Sequence, residues 1–171
     1  VWEPTTVNVG SGLTAISVAT GNSATCALLS DHSVKCWGKN NFGQLGLGNS
    51  SSNDVLTPHT VTFNGASTPL SVHAGRNEFC AQLDNGSAAC WGQNADGQFG
   101  LGNTTSQTSP IALTLPTGRT IASMSMAKDF ICITLDNGSV VCAGRNTEYQ
   151  IGQGTTSTAE LSWKYVIGLD M

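Results

Sequence analysis

Six cysteines fall into three pairs of equal spacing: Cys26 and Cys36, Cys80 and Cys90, Cys132 and Cys142. Thiols can oxidise to disulfides, bind metal or act as nucleophiles, and spacing helps to decide among these. No Cys-x-x-Cys occurs, and two cysteines per unit leave a zinc ion short of ligands. The other reactive side chains are scattered. His32 stands in a turn, His59 follows Pro58 and His73 lies in a strand-like run, and no His-x-x-x-His exists. Asp84 and Asp136 recur, but each opens an Asp-Asn-Gly turn, where Asp is preferred for its local hydrogen bonds. A paired acid/base role for them has no support beyond their presence. The close glycines of Gly43–Gly48 and Gly97–Gly102 lack the following helix and the Lys-Ser/Thr of a phosphate cradle. These residues predict no catalytic site, no metal site and no cofactor.

Four Asn-x-Ser/Thr sequons begin at Asn49, Asn85, Asn103 and Asn137. Two lie at turn tips and two end the glycine-rich runs, all places expected to be exposed. In a secreted eukaryotic protein some would carry glycan.

The elements that position these residues follow from an internal repeat. Cys26-Ala27-Leu28-Leu29, Cys80-Ala81-Gln82-Leu83 and Cys132-Ile133-Thr134-Leu135 are offset by 54 and then 52 residues. Trp37-Gly38-Lys39-Asn40, Trp91-Gly92-Gln93-Asn94 and Ala143-Gly144-Arg145-Asn146 follow at the same offsets. The next runs are Gly43-Gln44-Leu45-Gly46 and Gly97-Gln98-Phe99-Gly100, then the degenerate Tyr149-Gln150-Ile151-Gly152. Three units are expected, at 1–57, 58–109 and 110–171. Trp163 to Leu169 reads as the opening of a fourth, matching 60–65 loosely. Each unit reads as four short strands, placed in the second copy near 60–63, 70–74, 78–83 and 87–91. No helical apolar stripe competes with this reading.

Asp84-Asn85-Gly86 and Asp136-Asn137-Gly138 read as three-residue hairpin loops, a type I turn followed by a left-handed glycine. His32 takes the glycine slot in the first copy, which makes that turn the least ideal. If Leu83 faces Ser87, the paired residue numbers sum to 170, and Cys80 then faces Cys90. The same register sets Cys26 opposite Cys36 and Cys132 opposite Cys142, within disulfide range at a non-hydrogen-bonded position. Buried free thiols in a cytosolic protein are the alternative. Disulfides place the chain in an oxidising compartment.

A four-stranded repeat of about 50 residues reads as a propeller blade. The residues above resemble the regulator of chromosome condensation repeat family, whose unit has a Gly before a Cys-Ala-Leu strand, an Asp-Gly hairpin, Trp-Gly-x-Asn and Gly-Gln-Leu-Gly. Here these are Gly21 and Gly75, Cys26 to Leu28, Asp84 to Gly86, Trp37 to Asn40, Trp91 to Asn94, and Gly43 to Gly46. The third copy departs, with Ala127, Ala143 and Tyr149 in the Gly, Trp and Gly slots. The resemblance implies an all-β fold of propeller blades, commonly seven to a ring, and paired cysteines look like its extracellular branch. Family members include a nuclear exchange factor for a small GTPase, a plant ultraviolet sensor with clustered tryptophans, and a bacterial β-lactamase inhibitor. None of these activities maps residue by residue onto this chain, and Trp37 and Trp91 read as packing residues.

Composition narrows the partners. The formal net charge of this 171-residue chain is -4 and only 11% of residues are charged. No basic field invites nucleic acid, and no apolar run is long enough to span a membrane. The start at Val1 reads as a processed protein or a piece of a longer one. The expected function is a non-enzymatic extracellular or cell-surface interaction or structural module. The alternatives are a secreted enzyme inhibitor acting through one propeller face, or a non-catalytic part of a larger secreted enzyme. Three blades cannot close a seven-bladed ring, so the expected partners are the rest of the same polypeptide or other copies of the chain, with a protein ligand as a further partner.

Overall fold

The computed structural model describes residues 5–116 and 118–169, so Val1 and Met171 lie outside the described residues. Among the described residues twelve strands form three four-stranded antiparallel sheets. The first holds β1 (Ala15–Thr20), β2 (Ala24–Leu29), β3 (Val34–Asn40) and β4 (Ser51–Thr60). The second holds β5 (Pro69–Ala74), β6 (Glu78–Leu83), β7 (Ala88–Gly92) and β8 (Gln107–Ala112). The third holds β9 (Ile121–Ala127), β10 (Phe130–Leu135), β11 (Val140–Asn146) and β12 (Ser157–Tyr165). Each sheet is an up-and-down meander in chain order, the arrangement of a propeller blade.

The central hairpins have the register expected from their loops. Leu83 N donates to Ser87 O and Gly86 N to Leu83 O, and Cys80 pairs with Cys90. The flanking blades repeat this, with Cys26 opposite Cys36 and Cys132 opposite Cys142. All three pairs are disulfide-bonded, with Cα–Cα separations of 4.1, 4.0 and 4.1 Å. Gly86 and Gly138 take φ of 78° and 87°, and His32 takes 63° in the same slot. A left-handed non-glycine residue costs free energy; the His32 ring offsets part of that by donating from Nδ1 to Pro69 O at 3.2 Å.

Two strand assignments need correction. Residues 61–63 open no strand of the second sheet. Thr60 ends β4, paired with Lys35, and Val61 N donates to Val34 O, so this segment runs beside β3 of the first sheet. For the same reason Trp163 to Tyr165 does not open a fourth blade. It belongs to β12, which pairs with β11 through Tyr165–Val141 and Lys164–Cys142 and completes the third sheet. The strand that closes each blade therefore comes after its glycine-rich turn. β4 crosses residue 57 and β8 crosses residue 109.

The sheets pack face to face. One apolar cluster joins Cys26, Leu28, Val34 and Leu45 of the first blade to Val72, Phe79, Leu83 and Trp91 of the second. Another joins Cys80, Ala88 and Phe99 to Met124, Ile131, Ile133 and Val141. Core lies between blades, so every blade depends on its neighbours.

Candidate interaction surface

Each blade has a face toward the preceding blade and a face toward the next, and the repeat supplies an internal control for both. Val18, Val72 and Met124 hold one position in β1, β5 and β9, facing Ala27, Ala81 and Ile133 across the ladder. Val72 and Met124 are each 8% exposed, beneath the blade before them; Val18 is 61% exposed. Trp91 is buried and donates from Nε1 to Gln44 O of the first blade at 3.0 Å, while its counterpart Trp37 is half-buried. At the other end, Cys26 and Cys80 are buried while Cys132 is half-buried, and Val34 and Ala88 are buried while Val140 is half-buried. Among the described residues, the first and third blades thus each present one face that no other blade covers.

The polar residues of the repeat build turns. Asn40, Asn94 and Asn146 are buried, and each Oδ1 accepts the amide of Leu45, Phe99 or Ile151 at 3.1, 2.9 and 3.1 Å. Their Nδ2 groups donate to Asn49 O, Asn103 O and Thr155 O. Asp84 Oδ1 accepts Thr68 N and Asp136 Oδ1 accepts Thr120 N, each 16 residues back, so these carboxylates tie the hairpin to the segment before the first strand of the blade, and the local turn bond expected of them is made by Asn85 and Asn137. The glycines let neighbouring blades touch: a Cβ on Gly43 would strike Thr108, and one on Gly46 would press on Trp91. The buried amides escaped the sequence reading as structural groups, although their threefold recurrence at fixed offsets was the available signal.

The histidines do not come together. His32 contacts Pro69, His59 Nε2 lies 3.5 Å from Thr57 Oγ1, and His73, pushed down by burial, is hydrogen-bonded to Ser71 Oγ. The sequons separate to the two ends of the blades. Asn85 is exposed and Asn137 half-buried at the hairpin tips; Asn49 and Asn103 are exposed beside the glycine-rich turns. Asn85 and Asn137 accept the amides of Ser87 and Ser139. Among the described residues no group of three or more His, Cys, Asp or Glu side chains could hold a metal ion.

One ionisable group is out of keeping with its neighbours. Glu78 is fully buried, where the repeat has Ala24 and Phe130. Its Oε2 accepts Asn77 N at 2.8 Å and its Oε1 has no hydrogen-bond partner. Burial pushes this carboxyl up to about 7, opposed by backbone N–H groups at Asn77 and Arg76 and reinforced by the charge of Asp129. Nearby, burial also raises Asp96, with Asp129 adding and Arg145 and Lys128 opposing.

The model of the regulator of chromosome condensation (RCC1) repeat matches residues 31–81 and 85–133, and a second model of that repeat matches 15–44. The chain belongs to the RCC1 repeat family. It is 31% identical to the RCC2 homolog of Xenopus laevis over 157 residues, 91% of this chain and 30% of that one. The crystal structure of human WBSCR16 superposes with a TM-score of 0.79 at 23% identity, over 90% of this chain and 39% of that one. The Saccharomyces cerevisiae RCC1 protein Prp20p, studied for binding to Gsp1p and histones, gives 0.54 at 16% identity, over 92% and 52%. These RCC1-type neighbours are β-propellers, and the three sheets here are blades of that fold. The chain spans about a third of the length of the relative it matches.

Proposed function

We propose that this chain is a non-enzymatic interaction module of an extracellular or cell-surface protein, three blades of a larger RCC1-type propeller. The observation that carries this is the exposure of Val18 beside the burial of Val72 and Met124. A face with the residues of a blade-to-blade core is left uncovered, and an apolar sheet face of that kind calls for a neighbour. The neighbouring blades come from the rest of the polypeptide; stacking of further copies is the second way to cover them. Three disulfides suit an oxidising compartment. A protein ligand on a propeller end accords with Prp20p, whose study concerns protein partners. The recurring polar groups serve turns, which leaves the chain a scaffold rather than a catalyst.

Light scattering on the isolated chain tests the module reading. The expected outcome is concentration-dependent association, reduced by Val18→Ser. A monodisperse monomer at high concentration would overturn it. Glycosylation has its own measurement. When the chain is secreted from a eukaryotic host, Asn49, Asn85, Asn103 and Asn137 are the expected glycan sites, read as mass lost on endoglycosidase treatment. Secreted chain with every sequon bare would remove glycosylation from the reading.

A further inference from the structure

Between successive blades, at the end bearing the glycine-rich turns, equivalent positions of the repeat differ in charge. In the cleft between the second and third blades, Lys128 and Arg145 are matched by Asp96 and Asp129. Arg145 Nη1 lies 3.9 Å from Asp129 Oδ2, and the Asp96 carboxyl senses both cations. In the cleft between the first and second blades, Phe42 replaces Asp96 and Asn77 replaces Asp129 at the equivalent repeat positions. Gln93 takes the place of Arg145, Arg76 stands where the other cleft has Lys128, and Lys39 stands where it has Gln93; Lys39 and Arg76 are both exposed, and no carboxylate lines this cleft. Neither takes part in an ion pair among the described residues. The floor is held by Asn77 Nδ2 donating to Gln93 Oε1 at 2.8 Å. One wall is Phe42, 40% exposed.

We infer that this cleft binds an acidic segment of a partner protein. A Glu or Asp carboxylate sits between Lys39 and Arg76, where the neighbouring cleft uses its own Asp96 and Asp129. The stem of that side chain lies on Phe42. The cleft volume, about 220 Å³, is below the roughly 300–1,000 Å³ of ordinary small-molecule sites. A free small anion would stay largely wet there, whereas a peptide gains further contacts from the exposed amides of Asn22 and Asn41. Complementary charge of this kind gives specificity and a fast encounter. The inference rests on the reading of the chain as a protein-binding module.

The test uses the whole chain and a fluorescein-labelled Gly-Ser peptide bearing glutamates, followed by anisotropy at low salt. A glutamine counterpart should bind more weakly by about tenfold, the loss of one charge-assisted hydrogen bond. Lys39→Gln and Arg76→Gln should each weaken the glutamate peptide by a similar factor. Arg145→Gln, whose guanidinium is already paired with Asp129 in the other cleft, should leave binding unchanged, and circular dichroism reports that each variant is folded. Equal binding of the two peptides, or an equal loss in Arg145→Gln, would overturn the inference. So would displacement by inorganic phosphate at matching concentration, which would mark a site for small anions. If no peptide binds while the isolated chain still associates through Val18, the cleft assignment fails and the module reading stands.

Discussion

Glu78 introduces a carboxyl where the repeat uses Ala24 and Phe130, and packing does not require it. Its ordinary value of 4.5 rises to about 7 in the folded chain. The folded state therefore holds a proton that the unfolded chain releases between those values. Stability from this group is fully present below pH 4.5 and is lost as pH rises through about 7. At roughly 1.4 kcal/mol per unit the loss is about 3 kcal/mol. Glu78→Gln keeps an acceptor for Asn77 N but cannot ionise. Burial of His73 works in the opposite sense, lowering stability at pH 5 relative to pH 8, so removing Glu78 should shift the urea midpoint at pH 8 upward relative to that at pH 5; an unchanged difference between the two midpoints in Glu78→Gln would remove Glu78 as the cause. The disulfides differ among themselves as well. Cys26, Cys36, Cys80 and Cys90 are wholly buried, but Cys132 lies on the uncovered face of the third blade. Thiol exchange needs access, so brief reduction followed by alkylation and mass analysis should label Cys132 and Cys142 first. Each bridge closes a short loop and should stabilise by about 2–3 kcal/mol. Simultaneous labelling of all six cysteines would show that opening of the whole chain, not local access, sets the rate.

The outer strands explain what was legible in the sequence and what was not. The hairpins could be read to the residue because register there is local: a three-residue loop sets every pair, and Cys80 opposite Cys90 followed by counting. β4, β8 and β12 join their partners only after a glycine-rich turn, and pairing at that distance leaves no simple count. They are also polar, and β4 and β8 carry Pro58 and Pro110, which an outermost strand tolerates because one side of its ladder is free. The apparent loss of a tryptophan in the third copy has the same origin. Gly46 packs on Trp91, but its counterpart Gly100 packs on Trp163 of β12, because Ala143 stands where Trp91 does. The indole facing the glycine turn is retained and arrives from the outer strand, so alignment by repeat position could not find it. Trp163 is half-buried, so Trp163→Ala should destabilise by no more than about 3 kcal/mol, the low end of the range for a buried Trp. Trp91→Ala, which also severs the bond to Gln44 O, should cost more. Chemical denaturation measures both, and a cost below that of an ordinary surface change for Trp163→Ala would show that it does not replace the missing indole.

A stack of blades shares its core across interfaces, so the worth of a side chain depends on whether a neighbour is present. Val18 and Val72 make the same cross-strand pair within their own sheets, with Ala27 and Ala81. They differ in what covers them: 61% of Val18 is exposed against 8% of Val72. Truncating a buried Val removes two methyl groups and leaves a void, at about 2 kcal/mol. Val72→Ala should cost that much in any form of the protein that keeps the first two blades. Val18→Ala should cost under about 0.5 kcal/mol in the isolated chain, the usual range for an exposed site. In a longer polypeptide that places a blade before β1, the same change should rise to match Val72→Ala. Urea denaturation of both variants in both chains reads the difference, provided that the slope with denaturant is unchanged. A Val18→Ala cost that stays small in the longer polypeptide would mean that no blade covers this face, and the larger propeller would have to be abandoned as the state in which these three blades work.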